Sequence, residues 1–255
     1  MKCIIIALII IFVIIIIAVI ANRSKPPTKN KGNNKGGYQP PRPPRPPRPQ
    51  QKTLDQIINE LIDAKDNTAV SDPDFYIATQ KTQKAATRVK NYVPTSLNLG
   101  IDALMSQVNQ LVSYANRIAG NAHPKNFRKG SDNFTYNNNL WYRARMAGVA
   151  FLQAADLVQN KLNQLHKINF KNISSADRQK IKQLQANDGL IALKRDLIEC
   201  AKMMFRTNKS IKELIRNNCG KGGSDWARKM DESGEEARLE AERKRKYGWY
   251  HNNAI

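Results

Sequence analysis

Proline sets the strongest limit on this chain: nine of its twelve prolines fall in residues 22–52, and only Pro73, Pro94 and Pro124 lie beyond. Proline removes a backbone donor and clashes with the preceding helical turn, so a regular helix cannot pass through the first stretch. The later three stand where a helix would start or stop. The chain is thereby divided into an N-terminal segment (1–21), a Pro-rich linker (22–52), a body (53–219) and a charged tail (220–255).

The body reads as all-α. Thr53 is an N-cap with Gln56 at the capping-box position, and Leu54, Ile57, Ile58, Leu61 and Ile62 form one apolar stripe. Asp72-Pro73 opens a second helix to about Tyr92, closed by Pro94. A third runs from about Leu97 to Ala119, with Gly120 as its terminating residue. After a polar loop over 121–138, a fourth runs from about Leu140 to His166, with alanines that permit close helix approach. Ser175 caps a fifth that reaches about Arg206, with a bend or break at Asp188-Gly189, and a short sixth covers Ser210–Asn218. Successive stripes on short connections imply an up-and-down bundle of about five to six helices. The tail carries seven acids and seven bases between Asp225 and Tyr247 and is expected to be a solvated helix or disordered.

Cys3 to Ala21 is a run of nineteen residues without a charge, about 28 Å as a helix. Its length suits a membrane anchor, whereas Val19-Ile20-Ala21 suits a cleavage site for export. The basic residues that follow, Arg23, Lys25, Lys29, Lys31 and Lys35, favour holding the body on the cytoplasmic side. Export or surface anchoring is the preferred reading. A single-pass protein with a cytoplasmic body is the alternative.

The repeat PPRPPRPPRP from Pro40 to Pro49 matches the three-residue turn of polyproline II, which lines up Arg42, Arg45 and Arg48 along one edge. Such a rod serves as a spacer, or as a cationic arm toward a polyanionic glycan or anionic surface. In a cytoplasmic body, Pro40 and Pro43 with Arg45, and Pro43 and Pro46 with Arg48, each fit the P-x-x-P-x-R form taken by SH3-type domains. Tyr38 to Gln50 also resembles arginine- and proline-rich antimicrobial peptides, over that stretch alone.

Net charge is +21; the nine basic residues of positions 1–50 account for part, residues 225–255 are neutral, and +12 remains spread over residues 51–224. No helix-turn-helix, finger or RNA-binding signature accompanies it, so specific nucleic-acid recognition is not expected. His123, His166 and His251 stand alone in sequence, and Gly220-Lys221-Gly222-Gly223-Ser224 lacks the order of a phosphate loop. The sequence therefore implies a non-enzymatic binding or structural module with no metal and no cofactor. Sequons at Asn133, Asn172 and Asn208, besides Asn22, are candidate glycosylation sites. An antiparallel hairpin turning near Asn208 would bring Cys200 and Cys219 level, and an exported chain would then join them in a disulfide.

Overall fold

A computed structural model of the chain describes residues 51–62, 73–127 and 134–247, and the described residues are helical with no strand among them. α1 (Leu54–Ile62) opens with the expected reciprocal cap: Thr53 N donates to Gln56 Oε1 at 2.9 Å, and Gln56 N donates to Thr53 Oγ1 at 3.3 Å. Leu54, Ile57, Ile58 and Leu61 are its buried stripe. α2 (Pro73–Asn91) takes proline at its first position, where no intrahelical donor is needed. α3 (Ile101–Asn121) follows Gly100, whose φ of 60° is open to glycine at little cost. α4 (Phe134–Leu165), α5 (Ser175–Gln185), α6 (Leu190–Asn218), α7 (Gly220–Glu232) and α8 (Glu235–Tyr247) complete the order, with 3-10 turns at Pro124–Asn126 and Phe170–Asn172.

Four of these helices close into a ring in which every neighbour runs antiparallel. Thr79 on α2 donates to Asn116 on α3 at 3.1 Å, and Phe75 and Ala122 line one hollow. The start of α3 at Gly100 meets Lys161 near the end of α4. On α4 and α6, the most extensively packed pair, Trp141 faces Asn208 and Gln159 faces Lys194. α6 returns to α2 through Cys200 with Thr82 and, just before its start, Asp188 with Arg88. In each pair residue numbers rise on one helix as they fall on the other. Ala144, Ala147, Ala150, Ala154 and Ala155 of α4 are all fully buried, so small side chains draw its backbone close to its neighbours. Phe75 and Phe151 meet edge to face inside the ring, with centroids 6.5 Å apart.

Three expectations are corrected. Gly120 lies inside α3 and is buried, so the helix runs on to Asn121. The break at Asp188-Gly189 is real, but no second break follows: α6 passes straight through Asn208 and Ser210 to Asn218. Leu190, Leu193, Leu197, Cys200, Met204, Asn208, Ile211 and Ile215 are buried at steps of three and four, so Asn208 occupies a core position of one continuous stripe. The tail, finally, does not stand apart. Residues 50–255 cluster as one unit, and α7 and α8 pack on the ring, with Trp226 edge-on to Trp141 at 5.2 Å between centroids.

Candidate functional site

α6 presents Lys202, Phe205, Arg206 and Lys209 on the side away from its buried stripe, and Lys212, one turn further on, is covered by the helices that follow. α7 turns back along the end of α6, and Gly234, at φ 62°, permits the bend through which the chain continues in the same sense into α8. α8 then lies antiparallel to α6, with Glu236 beside Lys212 and Arg243 beside Phe205. Between the two helices is a cleft of about 290 Å³, closed at one end by Met230, Asp231 and Gly234.

α8 has no fully buried residue, so charge holds it in place. Lys212, with its side chain only 5% exposed, donates to Asp231 at 2.7 Å and Glu236 at 2.5 Å. Burial works to lower the Lys212 pKa, and the bonds to Asp231 and Glu236 outweigh it, leaving it above the ordinary lysine value. The Lys212 bond holds Asp231 below the usual carboxylate range, assisted by Arg216, which also bonds it. Arg145 of α4 donates to Glu235 at 2.7 Å and lowers that carboxyl in the same way. At the far end Lys246 and Tyr247 both donate to Asp156 of α4, at 2.7 and 3.0 Å. The Arg243 guanidinium lies 3.9 Å from the Phe205 ring centroid, and burial, then the charge of Arg145, pushes its pKa down. Beneath that ring is Gly148, where a β-carbon would come within 2.9 Å of it.

The acids at this cleft are therefore engaged: Asp231 and Glu236 by Lys212, and Glu240 by Lys244 at 3.2 Å. Arg206 and Lys209 on the rim are exposed and have no acidic partner among the described residues. The arrangement is suited to holding an anion. Neither histidine among the described residues lines the cleft: His123 caps a 3-10 turn, accepting from Lys125 N, and His166 contacts Gln185. Among the described residues no cluster of His, Cys, Asp or Glu could hold a metal ion.

The residues singled out in the sequence are dispersed. Pro40, Arg42, Pro43, Arg45, Pro46 and Arg48, the apolar run 3–21 and Asn133 lie outside the described residues. No described helix is long and apolar enough to cross a membrane. Asn172 is exposed on its 3-10 turn. Asn208 is 6% exposed and its amide nitrogen donates to the Trp141 carbonyl, so a glycan there is incompatible with the packing. The proposed disulfide is also corrected: with α6 unbroken, Cys200 and Cys219 stand on one rod, about 28 Å apart along its axis. No disulfide joins them. Cys200 is buried against Thr82, and Cys219 caps the end of α6. Sequence reading missed the cleft, although the outward row of cations on α6 and the acids of the tail are both visible in it.

Comparisons with protein-family models, with curated proteins and with solved structures return no match.

Proposed function

We propose that this protein is a non-catalytic helical binding module, exported or held at a surface by residues 3–21, that contacts polyanions. The Pro/Arg rod serves as its cationic arm, and the bundle adds a positively charged body. The observation that carries this reading is an imbalance in ion pairing. The acids of α7 and α8 are largely consumed in contacts with Arg145, Lys212, Arg216, Arg228 and Lys244. Basic residues on α2, α5 and α6 meanwhile remain at the surface without an acidic partner among the described residues: Lys81, Lys84, Lys90, Arg178, Arg206 and Lys209 among them. Charge left uncompensated in this way attracts anionic polymers, and the attraction weakens as salt screens it.

Heparin chromatography of the full chain tests the reading. The wild-type protein should be retained and should elute only at raised salt, and Arg42→Gln/Arg45→Gln/Arg48→Gln should elute earlier. Passage of the wild-type protein without retention at low salt would refute polyanion contact. Unchanged elution of the triple variant would assign the contact to the bundle and leave the rod a spacer.

A further inference from the structure

We propose that the cleft between α6 and α8 is a binding site for a phosphate or sulfate monoester, a small organic anion whose charge rests on Arg206 and Lys209 and whose apolar part rests on Met230 and Leu239. The proposal builds on the reading of the protein as an anion binder, but it needs no contribution from the Pro/Arg arm.

The cleft's size, about 290 Å³, is at the lower end of the range for small-molecule sites and suits a small anion. Its walls are of two kinds. Met230, Leu239 and the edge of the Phe205 ring supply apolar surface, whereas α6 supplies cations one turn apart. A bare inorganic ion would leave the apolar wall wet, and a neutral apolar molecule would leave the cations unused. An organic ester of a tetrahedral oxyanion uses both. Arg206 offers a planar fork suited to such oxyanions, and Lys209 offers a compact charge three residues on. The acids in the cleft do not compete for these two, because Asp231 and Glu236 are bonded to Lys212 and Glu240 to Lys244. Lys202, which contacts Glu199 at 3.1 Å, extends the cationic row by a further turn.

Calorimetric titration of the full chain with phenyl phosphate, inorganic phosphate and phenol tests this. Phenyl phosphate should bind saturably at one site, more tightly than inorganic phosphate, and phenol should not bind. Arg206→Gln/Lys209→Gln should weaken phenyl phosphate at least about tenfold, as expected for lost charge-assisted bonds. Both substitutions are at exposed positions, so the melting temperature should stay that of wild type. Arg42→Gln/Arg45→Gln/Arg48→Gln should bind phenyl phosphate as wild type does. Absence of saturable binding, or undiminished affinity in the Arg206/Lys209 variant, would overturn the site. So would loss of binding in the arm variant, which would move the contact to residues 42–48. Displacement of phenyl phosphate by vesicles of phosphatidic acid supports the site with a lipid headgroup as source, and displacement by glycerol 1-phosphate alone supports it with a soluble ester.

Discussion

The side-chain nitrogen of Asn208 donates to the main-chain carbonyl of Trp141 at 2.6 Å, joining the middle of α6 to α4 from within the buried stripe. The same asparagine that reads as a turn or a sequon in the sequence is thus a polar pin in the core. A buried polar side chain is tolerated when it is bonded, and one directional bond restricts how the two helices slide. Asn208→Ala should lower stability by about 1–2 kcal/mol in urea denaturation, from a lost bond and a small void. Asn208→Asp should cost more, because it sets a carboxylate against a carbonyl oxygen.

Release of α8 by acid is the second expected outcome. Glu235 and Asp231 have folded pKa values below their unfolded ones, owing to Arg145 and Lys212 respectively. Groups shifted in that direction contribute stability above their unfolded pKa and lose it as pH falls through the lower folded value. From about pH 4 downward, hydrogen exchange in 235–247 should accelerate while α4 and α6 stay protected. Uniform protection of α8 down to the pH at which the bundle melts would mean that ion pairs do not hold it.

Asp177 ties the connection between α2 and α3 to α5. Its carboxylate accepts from the Ser96 hydroxyl and, at 3.3 Å, from Thr95 N, while Lys180 reaches the Val93 carbonyl. The Ser96 bond is the main cause of its lowered pKa. Asp177→Asn should lower the melting temperature at neutral pH and flatten its fall below the carboxylate range, because the variant has no charge there to lose. Parallel acid profiles for variant and wild type would show that this carboxylate contributes no pH dependence.

The helices of the body were legible because each buries one stripe and the stripes follow a helical period. Leu54, Ile57, Ile58 and Leu61 are an example, and the cap at Thr53 with Gln56 was legible for the same local reason. α6 was misread at Asn208, where local turn propensity outweighed a stripe whose period in fact continues from Met204 to Ile211. Docking of the tail lay beyond local reading. Its acids and bases look self-sufficient along the sequence, yet Glu235, Glu236 and Lys246 bond to Arg145, Lys212 and Asp156, which are 90, 24 and 90 positions away. The cleft inherits that difficulty, because α8 is one of its walls.

Thiol reactivity gives the last prediction. An antiparallel hairpin would have made Cys200 and Cys219 a reporter of compartment, oxidised outside the cell and reduced within it. The unbroken α6 removes that use, because the helix keeps the two sulfurs several turns apart in either environment. What remains is a difference in reactivity. Cys200 is fully buried, hydrogen-bonded with Thr82 at 3.2 Å, and burial pushes its thiol up to about 12. The thiolate is the nucleophile, so at neutral pH Cys200 should resist alkylation until the protein unfolds. Cys219 is half-buried at the end of α6 and should be modified in the native state. Peptide mapping after iodoacetamide treatment, with and without denaturant, should find the native adduct on Cys219 and the additional one on Cys200. A bridged 200–219 peptide would require α6 to break near Asn208 and would refute the continuous helix.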